Sequence, residues 1–105
     1  MNKEQIFSTV KEHLLTQNRR SLSGNRCMYR GHDNTKCAVG CLITDEQYKP
    51  EMEGIRVFGL ITDHEALKPL AEHLHLLTAL QDVHDNIAVQ DWPEALTLVA
   101  KRFYL

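Results

Sequence analysis

RCMYRGHDNTKCAVGCLITDEQY, residues 26–48, holds all three cysteines, a cluster of turn-forming residues and the most apolar short run of the chain. Cys27-Met28-Tyr29-Arg30 reads as an extended piece. Gly31-His32-Asp33-Asn34 is turn chemistry, because Gly, Asp and Asn tolerate backbone angles that other residues avoid. Thr35-Lys36-Cys37 then returns antiparallel, which predicts a small β-hairpin within residues 26–37. The run from Cys37 to Ile43 is compatible with a central strand or a short buried helix. A helix is favoured: it puts Cys37 and Cys41 on one face, and Gly40 permits close approach of another element. Thr44 followed by Gln47 makes a capping box, so a further helical turn is expected from Asp45 to just before Pro50.

The flanks read as helices. Asn2 can cap a first helix with Gln5 reaching back, and Ile6, Val10 and Leu14 recur at one-face spacing as far as Gln17. Asn18 to Asn25 is polar and rich in Ser, Gly and Asn, hence a loop. Pro50 to Gly54 is a connector and Ile55 to Ile61 an apolar turn or short helix. Thr62 with Glu65 forms another capping box, and Pro69 suits the first turn of a long central helix from Leu70 to about Asp85. Asp91, Pro93 and Glu94 mark the start of a last helix. Its stripe Trp92, Leu96, Val99 and Phe103 should face the central helix, with Lys101 and Arg102 at the end where the helix dipole favours cations. Residues 1–105 therefore read as one compact, mainly α domain, a bundle of about four to five helices with one small hairpin.

Composition narrows the function classes. The net charge is −2, so bulk charge points to neither nucleic acid nor membrane. The distribution is uneven: residues 1–49 carry eight Lys/Arg against five Asp/Glu, and residues 50–105 four against nine. Arg19, Arg20, Arg26, Arg30 and Lys36, with Tyr29 among them, form a candidate anion-facing surface, and Arg19 and Arg20 are expected to face solvent. A single aromatic makes a poor stacking platform and the acidic second half repels a polyanion, so nucleic acid is a weaker expectation than a protein partner. The N-terminus lacks the pattern of a secretion signal and no run is long enough to span a bilayer. With an odd number of cysteines, this predicts reduced thiols and a cytoplasmic setting.

No catalytic constellation stands out. Cys27, His32, Cys37 and Cys41 supply four zinc-type ligands in fifteen residues, and the H-x4-C half is that of a zinc knuckle. The C-x2-C that opens a knuckle is missing, and Cys37 and Cys41 lie in an apolar run, so neither zinc nor any other cofactor is expected. Cys27, beside Arg26 and Arg30, comes nearest to the electropositive setting of a reactive thiolate, though no family-type motif surrounds it. H-E-x-x-H is absent, and so are glycine-rich phosphate loops. The acidic pairs Asp82/Asp85 and Glu51/Glu53 read as solvated surface.

The words Tyr29-Arg30-Gly31, then Lys36-Cys37-Ala38-Val39-Gly40-Cys41-Leu42-Ile43, then Asp45-Glu46 with Tyr48, then Met52-Glu53-Gly54, carry a resemblance, completed by His84-Asp85-Asn86 and Trp92. The chain resembles a group of small uncharacterised proteins of tailed bacteriophages and bacterial prophages. The resemblance implies a phage or bacterial setting and, by analogy with small phage accessory proteins, action by binding a host protein. It assigns no role to any residue.

Overall fold

Asn2 starts the first helix as its sequence implies. In the computed structural model, which describes residues 1–105, the Asn2 side chain accepts from the Gln5 N–H at 2.8 Å, and Gln5 Oε1 accepts from the Asn2 N–H at 2.8 Å. This reciprocal capping box opens α1 (Lys3–Gln17), which ends at Asn18 in the left-handed conformation, φ 54°. Ile6, Val10 and Leu14 are fully buried along one face.

The paired strands lie earlier than the sequence reading placed them. β1 (Leu22–Ser23) pairs antiparallel with β2 (Arg26–Cys27), in the register Leu22 to Cys27 and Ser23 to Arg26. Gly24 (φ 62°) and Asn25 form the connection. Positive φ at the first central position alone is the pattern of a type II′ hairpin turn. The expected turn at Gly31–Asn34 also exists, with Asp33 and Asn34 both at positive φ. It closes only a single bridge, Arg30 to Lys36. The ladder stops there because Tyr29 N–H turns to Glu53 instead of back to Cys37, and from Cys37 the chain winds helically.

From Cys37 the chain winds helically, not as a strand. Cys41 N–H donates to Cys37 O at 3.1 Å, and a 3-10 turn covers Gly40–Leu42. A Cβ on Gly40 would overlap the carbonyl of Tyr29, so only glycine lets these two backbones meet. The Thr44–Gln47 box forms as well, with Gln47 N–H donating to Thr44 Oγ1 at 3.2 Å and Thr44 N–H to Gln47 Oε1 at 3.0 Å.

The second half corrects three expectations. Thr62 does not cap a helix. It lies inside α2 (Val57–Asp63), and its hydroxyl donates back to the carbonyls of Phe58 and Gly59. The central helix α3 spans Leu74–Asn86, not Leu70 onward, because residues Glu65–His73 wind as a 3-10 helix. Pro69 lies inside that stretch, where it offers no N–H and its ring crowds the preceding turn. Asp91 does not cap α4 (Trp92–Arg102). It is itself helical, within a 3-10 turn over Val89–Asp91 that runs straight into α4, and a side-chain cap needs an extended backbone.

The stripe of α4 behaves as expected. Trp92 and Leu96 are fully buried, Val99 is buried and Phe103 half-buried. α1, α3 and α4 pack on one another, the Gly40–Leu42 turn sits against α1, and α2 with the 65–73 segment covers another side of α3. The molecule measures 32 × 31 × 18 Å, thin enough for about two helical layers of ~10 Å each. No helix is long and apolar enough to cross a membrane.

Two substitutions test this core. Trp92→Ala removes a fully buried indole whose Nε1 donates to Ile87 O at 3.1 Å. It should cost about 3–5 kcal/mol in denaturant unfolding, as large aromatic truncations in cores do. Gly40→Ala forces Tyr29 and the 40–42 turn apart and should cost at least about 1–3 kcal/mol. A wild-type unfolding midpoint for either variant would contradict the packing described.

Candidate functional site

An open cleft of about 500 Å³ lies between the Cys27–Tyr29 segment, the Gly54–Phe58 segment and α3. Thr78, Gln81, Asp82 and Asp85 of α3 contribute to its lining, as do Ile55, Val57 and Phe58. Phe58 stands 63% exposed, on the first turn of α2. Cys27 and Asp85 are at the end where the hairpin meets α3, with His84 buried behind them.

Three ligand-type atoms converge there: those of Cys27, His84 and Asp85 lie within 4.8 Å of one another. Their wiring decides what they can do. His84 is completely buried, and its Nε2 lies 2.9 Å from the Ser21 backbone nitrogen. A backbone N–H only donates, so Nε2 is the acceptor and Nδ1 carries the ring proton. Nδ1 in turn lies 2.7 Å from Asp85 Oδ1, which also accepts from Gln81 Nε2 at 2.9 Å. Gln81 is fixed at its other end, where Oε1 accepts from Val39 N–H at 3.0 Å.

This arrangement fits neither a metal nor a thiolate. A ligating imidazole offers one lone pair to the ion and donates its other N–H to an acceptor. In His84 the only free lone pair already faces a donor. For the same reason Nε2 cannot take a proton from Cys27, as the base of a Cys–His pair must. The Cys27 thiol is pushed above its ordinary range, first by partial withdrawal of the sulfur from water, then by the charge of Asp85 and a hydrogen bond to it. Arg20 pulls the other way. The residue is exposed, yet its thiol is held protonated.

The zinc-type set from the sequence does not assemble. Cys27 and His32 are exposed, Cys37 is fully buried and Cys41 half-buried, and the four do not converge. Cys37 Sγ accepts from Gly40 N–H at 3.3 Å, and Cys41 Sγ donates to Ala38 O at 3.1 Å. Burial pushes both thiols up to about 12.

The basic surface is divided between solvent and interior. Arg20 does not simply face solvent: it donates to His84 O at 3.0 Å and Ile87 O at 2.6 Å, holding carbonyls at the C-terminal end of α3. Arg30 pairs with Asp45 at 2.7 Å, donates to Ile43 O at 2.9 Å and stacks 4.7 Å over the Tyr48 ring. Tyr29 is buried, 6% exposed, and its hydroxyl donates to Ile55 O, so its ring is not a stacking platform. Arg19, 3.5 Å from Asp33, and Arg26 remain outside. Lys36 is held through its backbone, which exchanges bonds with the Gln17 side chain at 2.9 Å each way.

Sequence reasoning missed two groups. Glu53 is an internal clamp, accepting from Tyr29 N–H at 2.8 Å, Arg30 N–H at 3.0 Å and the Tyr48 hydroxyl at 2.7 Å. The other is His84, to which the sequence reading assigns no role. Adjacency of His and Asp just before a helix end was its only signal in the sequence. Comparison with known proteins finds no matching family model, no similar curated protein and no similar solved structure.

The thiols give two tests. In the native protein a thiol reagent should modify Cys27 alone, and Cys37 and Cys41 only after unfolding. Asp85→Asn should speed the Cys27 reaction by about two- to tenfold near pH 8, since it removes the charge that opposes ionisation. Unchanged kinetics would disprove the link between the two groups. Stability, in turn, should be insensitive to Cys37 and Cys41 below pH 9 and fall from there towards pH 12. Their ordinary value is 9.0 and their folded value about 12, so between the two the unfolded chain binds fewer protons. Cys41→Ala should reduce that slope by at most about 1.4 kcal/mol per pH unit, one proton's worth.

Proposed function

We propose that this chain is a small phage- or prophage-type accessory protein that acts in the cytoplasm by binding a host protein. The observation that carries the reading is the cleft beside α3. It is open and partly apolar, and Phe58 stands in it largely exposed. The group at its end is wired for structure: the proton on His84 Nδ1 and the protonated thiol of Cys27 leave no base or nucleophile ready to act. The three free cysteines accord with a reducing compartment. The nucleic-acid alternative loses support, because Tyr29 is buried and Arg20 and Arg30 are committed to internal carbonyls.

The reading is tested by affinity capture from bacterial lysate with tagged protein, competed by untagged protein. One host protein should be retained in near-equal stoichiometry and displaced by the competitor. Absence of any displaceable protein would reject the reading.

A further inference from the structure

Resting on that reading, we propose that the cleft beside α3 receives an extended segment of the partner in which a Lys or Arg stands next to a large apolar residue. The walls differ in chemistry. On α3, Asp82 and Asp85 both face the cleft and neither forms an ion pair with a Lys or Arg of this chain. Gln81 and His84 both donate to Asp85 Oδ1, and Asn86 donates to Asp82 Oδ1. Asp85 is also hydrogen-bonded by the Cys27 thiol and is the more engaged of the two, whereas the Oδ2 of Asp82 takes no bond from Asn86. The two carboxylates are acceptors suited to a cation.

The Gly54–Phe58 segment lends the cleft apolar side chains, Ile55, Val57 and the exposed Phe58, with Arg56 among them. Arg56 stands at the entry to α2, exposed and without an ion-pair partner. It keeps a second cation off that side and sets the polarity of the bound segment: cation towards α3, apolar side chain towards Phe58. At longer range, the nine acidic against four basic residues of 50–105 favour approach of a basic segment. The cleft's volume of about 500 Å³ is in the range of small-ligand sites. It is open to solvent and not an enclosed cavity, which leaves room for a bound chain to continue beyond it.

The test titrates isotope-labelled protein with two pools of blocked hexapeptides. One pool carries Lys or Arg beside Leu, Phe or Trp, and the other has Glu in place of the cation. The cationic pool should shift the backbone amides of Phe58 and Asp82, and added salt should weaken it. Asp82→Asn should weaken it by about two- to fivefold, the size expected of an exposed ion pair. Phe58→Ser should abolish binding while leaving Trp92 fluorescence and the melting midpoint unchanged. Equal binding of the Glu pool would overturn the inference, as would binding indifferent to both substitutions. Phenethylamine binding as tightly as the cationic pool would also overturn it, in favour of a small cation. Lysate capture separates the two proposals. A host protein retained equally by wild type and Phe58→Ser rejects the cleft and leaves protein binding standing, whereas no capture by either rejects both.

Discussion

Every polar group of Tyr29 is held by a different part of the chain. Its N–H donates to Glu53, its carbonyl accepts from Cys37 N–H at 3.3 Å and its hydroxyl reaches the Ile55 carbonyl. The backbone of Gly40 presses on the same residue. One residue thus ties together two segments, 37–40 and 53–55, that share no regular sheet. A domain with so few paired strands has to satisfy buried backbone groups in this piecemeal way, because orphaned donors and acceptors are costly away from water. The Glu53 carboxylate is central to the solution. It accepts two consecutive backbone amides that a longer strand would have paired, and the Tyr48 hydroxyl is its third donor.

A second joint sits at the far end of α3. His84 accepts from Ser21 N–H, Arg20 holds the carbonyls of His84 and Ile87, and Ile87 O also accepts from Trp92 Nε1. The rings of His84 and Trp92 lie 5.7 Å apart. Residues 20–21, the end of α3 and the start of α4 are therefore locked by one polar network beneath an apolar core. Buried networks of this kind are stable only when each member is satisfied, and here both ring nitrogens of His84 are. This explains why the cluster of Cys27, His84 and Asp85 resembles a reactive site in composition while its hydrogen bonds make it a fastening.

How much of this was legible in the sequence depended on whether the signal was local. The caps at Asn2 and Thr44, the apolar faces of α1 and α4, and the helical turn after Cys37 all follow from residues within a few positions of one another, and they appear where expected. The hairpin was displaced because Gly24-Asn25 was read as part of a polar loop, although a Gly-Asn pair between two short runs is itself a hairpin signal. Asp91 and Thr62 carry cap chemistry in backbones that are already helical. The site was harder to read. The basic residues near Tyr29 form a cluster in sequence, yet the fold turns Arg20 and Arg30 towards carbonyls up to 67 positions away. The cleft brings together residues 27–29, 54–58 and 78–86, a combination that no spacing rule anticipates.

The two joints also explain why the cleft is free to do something else. The Tyr29 joint fixes the hairpin side and the 53–55 connector, and the His84 joint fixes α3, so both walls are positioned from behind. The side chains that face the opening contribute little to that task. Phe58 is mostly in solvent, Asp82 is exposed, and Thr78 lies on the outer face of α3. Substitutions at such positions usually change stability by no more than about 0.5 kcal/mol. Phe58 thus stands in the open beside two carboxylates that form no ion pair with a Lys or Arg of this chain, at a position on which the two joints do not depend.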